Sequence, residues 1–384
     1  MKSPPVRLAL AACLVFVVAG CSSTAGTSTH QSTRISAKAD AALSELRGRV
    51  LSKGPHGESP AVASALTLTV DEEAQVRAKN ATAAIVMHTG GDDWSQAQIA
   101  GLKYQFEKLG IKVVAVTDAA FKPDKQVSDI ETVLSLKPSI IVSLPTDAVA
   151  TANAYKEAAK TGAKLVFMDN VPQGMTVGED YVSVVSSDNR GNGVVSAHLM
   201  AKAIGGKGKI GVIFHQADFF VTKQRYDGFL STIQTDYPDV NVVEQKGIAG
   251  PDFAGDAQAA ANAMLTKYPD LSAVWAVWDV PAEGVMAAAR SAGRSDLVLV
   301  TEDLGKNVAI SLAKGDLVKG LGAQRPFDQG VAEATLGAYG LIGKQAPPYV
   351  ALDSLAVTHD NVREAWTQVY HQPPPDWLNS SYKK

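Results

Sequence analysis

Cysteine is nearly absent from the chain. Its 384 residues hold two, Cys13 and Cys21, both close to the N-terminus. The body of the chain can therefore build neither a disulfide nor a cysteine nucleophile, and its stability must come from packed cores. Catalytic signatures are missing as well. There is no GxSxG elbow, no GxxxxGK[ST] phosphate loop and no HExxH helix. The glycines of GGKGKIG (205–211) precede a strand-like run instead of joining a strand to a helix, so they are misplaced for cradling a phosphate. The seven histidines show no metal-ligand spacing, and GGDDW (90–94) lacks the alternating ligands of a calcium loop. Long basic runs are absent too. The formal net charge is −3, and removal of Lys2 and Arg7 with a leader brings it to −5, which gives no electrostatic footing for nucleic acid.

What is present begins at the N-terminus. MKSPPVR is a short basic start, and LALAACLVFVVAG is an apolar stretch too short to cross a bilayer alone. Residues 1–20 therefore read as a secretion signal. VVAGC (17–21) resembles the lipobox of bacterial lipoproteins. That implies cleavage before Cys21 and a lipid on its sulfur. The product would be anchored to the outer face of the cytoplasmic membrane or held in the periplasm. Residues 21–81 read as a lipidated tether and N-terminal extension. Within it, Ser, Thr and Gly make 22–36 a flexible tether, 37–51 a short amphipathic helix and 52–64 a loose segment. Thr69, with Glu72 three residues on, is a helix cap.

From residue 82 a regular rhythm sets in. Short apolar runs at 83–88, 111–116, 139–144, 164–169 and 181–187 alternate with helical spacing at 94–108, 124–136 and 147–161. A second series puts strands at 209–215, 240–245, 273–278, 297–302 and 317–324. Its helices fall at 190–203, 223–235, 254–267, 281–292, 305–314 and 327–343. Continuous apolar strands separated by helices predict doubly wound parallel sheets in two α/β lobes. Such sheets place ligands at the C-terminal strand tips. Here the tips are polar and aromatic: His88–Trp94, Leu144–Asp147, Asp169–Asn170, His215–Phe220, Trp278–Asp279 and Glu302–Asp303.

Three of these tips place an acid just past the apolar run. Asp169, Asp279 and Asp303 could form a glycosidase-like carboxylate cluster, cap the helices that follow, or accept hydrogen bonds from a polyol. His88 and His215 read as hydrogen-bonded wall residues. In AVWAVWD (273–279), strand alternation would send Trp275 and Trp278 to opposite faces, Trp275 into the core and Trp278 towards the tip.

The ordered stretches AAIVMHTGGDDWSQAQIAGLKYQFEKLGIKVV, IIVSLPTDAVA, KLVFMDN, VSSDNRGNG, TKQRYDGF, AVWAVWD, LVLVTEDL and LGAQRPFDQG span about 82–372. In that order they resemble the type I periplasmic binding proteins, the solute receptors of bacterial sugar ABC importers, and most of all the ribose-type branch. The resemblance implies two lobes around a ligand cleft, joined by a three-segment hinge. Lobe 1 would take 82–186 and 325–352, lobe 2 would take 187–324 and 353–372, and 373–384 would be a C-terminal tail. It also implies ligand contacts at Asp92, Trp94, Asp169, Asn170, Arg225, Trp278, Asp279, Asp303 and Gln324, with Phe219 or Phe220 as a further wall. Asn170 stands where ribose receptors often carry arginine, and Trp278 where asparagine is common.

The expected function is thus a monomeric receptor without cofactor or metal. It would bind a small polyhydroxylated ligand, a sugar or polyol, and deliver it to a membrane permease driven by a cytoplasmic ATPase. The excess of acid disfavours an anionic ligand. Two other classes stay open: a sensing receptor for an autoinducer, nucleoside or sugar, and a carbohydrate-processing enzyme.

Overall fold

A computed structural model describes residues 1, 24–217 and 219–383. Cys21 and the leader lie outside the described residues.

Two parallel sheets carry the molecule. The first is built from β1 (Ala61–Val62), β2 (Thr82–Met87), β3 (Lys112–Asp118), β4 (Ile140–Ser143), β5 (Lys164–Met168), β6 (Ser183–Ser187) and β12 (Tyr349–Leu352). Their order across the sheet is β1-β12-β6-β5-β4-β2-β3. The second sheet contains β7 (Gly208–His215), β8 (Val240–Ile248), β9 (Leu271–Ala276), β10 (Val298–Glu302), β11 (Val318–Ala323) and β13 (Leu355–Val357). It runs β13-β11-β10-β9-β7-β8, parallel except for the antiparallel edge strand β13.

Helices cover both faces of each sheet. On the first sheet α3 (Asp93–Lys108), α11 (Pro326–Ile342) and α2 (Val70–Ala78) cover one face, and α4 (Pro123–Ser135) and α5 (Ala152–Lys160) the other. The second sheet is sandwiched by α6 (Asn189–Ala203), α7 (Phe220–Asp236), α8 (Phe253–Lys267), α9 (Asp279–Ser291), α10 (Lys306–Lys314) and α12 (Val362–Tyr370). The inner strands are mostly apolar because both sheet faces are buried, whereas the edge strands β3 and β8 carry polar, partly exposed residues. The result is the two-lobed α/β fold expected from the strand–helix rhythm. The chain passes between the sheets after β6, after β11 and after β12.

Two terminal segments differ from expectation. Where 22–36 reads as a flexible tether, α1 (Thr24–Leu46) is a continuous helix. Its Ile35, Ala39, Leu43 and Leu46 recur at helical spacing and pack on the core of the second sheet. Lys38–Asp236 (3.2 Å) and Lys202–Asp40 (2.6 Å) flank that contact. The chain then runs along the crossings. Gly48 N donates to Asp353 Oδ2 (3.2 Å), and Leu51 and Ser52 donate their amides to the Asp188 carboxylate (2.8 Å each). The 52–64 segment is likewise docked, since β1 extends the first sheet beside β12. Thr69 and Glu72 do form a capping box on α2. The expected tail at 373–384 contains α13 (Asp376–Ser381), whose Leu378 is fully buried while Trp377 meets Trp366 edge to face at 4.9 Å.

Candidate ligand-binding cleft

The C-terminal tips of both sheets face one cavity of about 700 Å³. From the first sheet come His88 after β2, Asp92 and Trp94 at the start of α3, Phe121 after β3, Thr146 after β4 and Asp169 after β5. From the second come Phe219 after β7, Arg225 in α7, Phe253 after β8, Trp278 and Asp279 after β9, Asp303 after β10 and Gln324 after β11. Ligand sites of wound sheets form at such tips because successive loops converge there.

Arg225 is the centre of the second wall. It is 4% exposed, and its guanidinium is held through Nε and Nη1. Nε donates to Asn189 Oδ1 (3.0 Å), and Nη1 donates to the Val277 carbonyl (3.1 Å) and to Asp303 Oδ2 (2.9 Å). Behind it, Glu302 Oε2 lies 3.3 Å from Nε as an ion pair without hydrogen-bond alignment. Burial works against the charge of Arg225, but Asp303 and Glu302 outweigh it and hold the group above its ordinary range. Gln324 Nε2 donates to the other oxygen of Asp303 (2.8 Å). Burial in turn pushes Glu302 well above the usual carboxylate range, against the pull of Arg225.

Asp169 and Asp303 share a backbone feature. Both sit just past a strand with positive φ, 55° and 64°. Non-glycine residues seldom adopt this region, and each turns the chain sharply so that its carboxyl meets the cavity. Neither caps the next helix, which removes the capping alternative for both. Asp169 Oδ1 accepts from Ser186 Oγ (2.5 Å). Burial pushes its carboxyl up to about 6, while Ser186 and Arg225 pull the other way. Asp92 is the N-cap of α3, accepting from Ser95 N (2.6 Å), and burial raises it too. Asp279 is the first residue of α9, and its Oδ1 accepts from Val280 N (2.9 Å). Burial raises it well above the usual range, and Asp303 and Asp92 add to the effect.

Aromatic groups complete the walls. Trp278 meets His215 (5.6 Å between centroids) and Phe253 (5.0 Å) edge to face. His88 meets Trp94 at 6.0 Å and Phe121 at 5.0 Å. Phe121 in turn reaches across the cleft to Phe253 at 5.6 Å, so the two walls touch at the mouth. Burial lowers His88 to about 4 and lowers His215, leaving both imidazoles neutral near pH 7. His88 Nδ1, Trp94 Nε1 and Gln324 Oε1 are buried without a protein partner.

Most of the residues singled out in the sequence come together here: Asp92, Trp94, Asp169, Phe219, Arg225, Trp278, Asp279, Asp303 and Gln324 all line the cavity. Asn170 and Phe220 do not. Asn170 is 6% exposed beneath the wall, its amide tied to the Met168 carbonyl, and Phe220 is the first residue of α7. Strand β9 stops at Ala276, two residues before Trp278. Trp278 keeps an extended backbone beyond the strand and lines the cavity, while Trp275 turns into the core. Trp275 is fully buried, stacked on Phe229 at 4.8 Å and donating Nε1 to Ser196 Oγ (3.0 Å). Sequence reasoning missed Phe121 and Phe253. Their signal was an aromatic residue in the loop or helix start directly after a strand tip. Among the described residues no group of His, Cys, Asp and Glu is placed to hold a metal ion, and no helix is long and apolar enough to cross a membrane.

A family model described as a periplasmic binding protein domain matches residues 83–345. The ribose import binding protein of Escherichia coli is 29% identical over 243 residues, covering 62% of this chain and 78% of that one. The D-apiose import binding protein of Actinobacillus succinogenes is 25% identical over 269 residues, 70% of this chain and 84% of its own. In fold the chain is similar to an ABC transporter solute binding protein from Agrobacterium vitis bound with α-D-tagatopyranose. The TM-score is 0.69 at 24% identity, over 76% of this chain and 99% of that one. Family match, tip-built cleft and two-sheet topology agree, and the chain belongs to the periplasmic binding protein family.

Proposed function

We propose that the protein is an extracytoplasmic solute receptor of an ABC importer, with a small sugar or polyol as its ligand. The observation that carries this reading is the composition of the cavity wall. Carboxyls at Asp92, Asp169, Asp279 and Asp303 offer acceptors matched to hydroxyl donors. Trp94 Nε1 and Gln324 Oε1 are buried polar atoms still lacking a partner, which a polar ligand would satisfy. The faces of Trp94, Trp278 and Phe219 suit the C–H surface of a sugar. Nothing in this set is a nucleophile poised beside a base, which favours binding without turnover. The family relatives named for ribose and apiose import support the same ligand class.

In this reading the groups of the two walls meet ligand together only when the cleft is shut, so ligand shifts the population towards the closed form. That form is what a membrane permease, and through it a cytoplasmic ATPase, would receive. Lipid on Cys21 would keep the receptor beside the permease and raise its effective concentration there. Calorimetric titration of the mature protein with a panel of pentoses, hexoses and open-chain polyols tests the proposal. Saturable binding of one compound class is expected, with a matching rise in thermal stability. Absence of binding across the panel refutes it.

A further inference from the structure

Three carboxyls of the cleft wall have no ion-pair partner among the described residues. Asp92, Asp169 and Asp279 accept only neutral donors: Ser95 N, Ser186 Oγ and Val280 N. Arg225 is the buried cation of this wall, and its charge is committed to Asp303 and Glu302. Lys122 and Lys125 stand exposed at the mouth, and Lys125 is paired with Asp129. Among the described residues no lysine or arginine forms an ion pair with any of the three acids.

The acids also line one cleft from both sides. Asp92 belongs to the first wall and Asp279 to the second, beside Asp303; the charges of Asp303 and Asp92 act on Asp279, and that of Asp303 on Asp92. Shutting the cleft concentrates like charge in a site that loses water, which opposes closure. A second observation points to the missing group. Gln324 is 3% exposed, lines the cavity and has its Oε1 unpartnered, so this wall offers yet another acceptor and needs a donor. An ammonium supplies three donors and no acceptor. The indole faces of Trp94 and Trp278 would favour the same charge.

Building on the receptor reading above, we propose that the ligand is an aminated sugar or polyol, whose ammonium group bridges Asp92 on one wall and Asp279 on the other. The hydroxyl groups then fall to Asp169, Asp303 and Trp94 Nε1. The ammonium converts cross-cleft repulsion into attraction, so closure is coupled to the presence of the cation.

The test is calorimetry on the mature protein at pH 7 with matched pairs: D-glucosamine against D-glucose, D-galactosamine against D-galactose, and 1-amino-1-deoxy-D-glucitol against D-glucitol. At least one amine should bind tenfold or more tightly than its hydroxyl twin. That preference should vanish in both Asp279→Asn and Asp92→Asn. Asparagine caps a helix as well as aspartate does, so Asp92→Asn keeps the start of α3 and stays informative if the other variant misfolds. Should the hydroxyl twins bind as tightly as the amines, or the variants weaken both twins equally, the ammonium inference falls and the receptor reading stands. If no member of either series binds, the ammonium inference falls, and the receptor reading falls with it only if the wider panel of pentoses, hexoses and polyols is silent as well.

Discussion

The two walls of the cleft are built on opposite principles. The second wall carries its own charge network: Arg225 is knit to Asn189, Val277, Glu302 and Asp303, and Asp303 to Gln324, whose Oε1 alone of that amide stays open. The first wall leaves groups open, with His88 Nδ1 and Trp94 Nε1 buried and unpartnered and Asp169 tied only to Ser186. A wall that neutralises itself holds its shape without ligand, whereas a wall with open valences gains most when ligand arrives. Substitutions in the second wall should therefore cost stability and affinity together, and those in the first wall mainly affinity.

The largest effect is expected at Arg225. Arg225→Ala strands Glu302 and Asp303 without their cation, and burial already disfavours the charge of Glu302. Removing one partner of a buried ion pair costs about 3–5 kcal/mol, and ligand binding should be lost as well. Urea unfolding of the empty protein reads the first term. Unchanged stability would break the contrast between the walls.

Asp169→Asn comes next, with an effect set by pH. In the folded protein burial raises this carboxyl to about 6, above its unfolded value. The native state therefore holds a proton that the unfolded state releases, so its penalty is full above about pH 6 and fades as pH falls towards 4. At pH 7 the neutral asparagine should stabilise the empty protein by on the order of 1–3 kcal/mol, and the gain should disappear near pH 4. Thermal unfolding from pH 4 to 7 checks this, and the same change should weaken ligand binding.

Trp94→Phe keeps an aromatic face and deletes the open Nε1 donor. An affinity loss of about 0.5–1.5 kcal/mol is expected by calorimetry, with no loss of thermal stability. The smallest effect should come from Asp93→Ala. Asp93 Oδ2 accepts from Lys306 N (2.8 Å), so a side chain next to the first wall caps α10 beside the second, where Gly305 has none to offer. Losing that cap should cost the closed form alone about 0.5–1 kcal/mol.

The parts of this molecule that could be read from sequence are local ones. Strand and helix runs from 82 to 343 show themselves by period, and strand tips by where each run stops. Asp169 and Asp303 stand at such tips, whereas Arg225 is singled out by the resemblance of TKQRYDGF to the sugar receptors. Their connection could not be read, because Arg225 reaches Asn189, Val277 and Asp303 from far along the chain. The short strands β12 and β13 carry too few residues for a period and exist through their neighbours. In α1 the Ser, Thr and Gly up to residue 36 mask the start of the helix, whereas Ala39, Leu43 and Leu46 fall in the 37–51 stretch that reads as amphipathic. Asn170, expected at the cleft from the resemblance, is buried and does not line the cavity.

The account rests on a cleft whose walls come together around ligand. Small-angle X-ray scattering of the mature protein, alone and with a saturating ligand from the calorimetric panel, measures that directly. A ligand-dependent fall in radius of gyration is predicted, larger for the parent than for Asp93→Ala. An unchanged radius in the parent at full occupancy would contradict it.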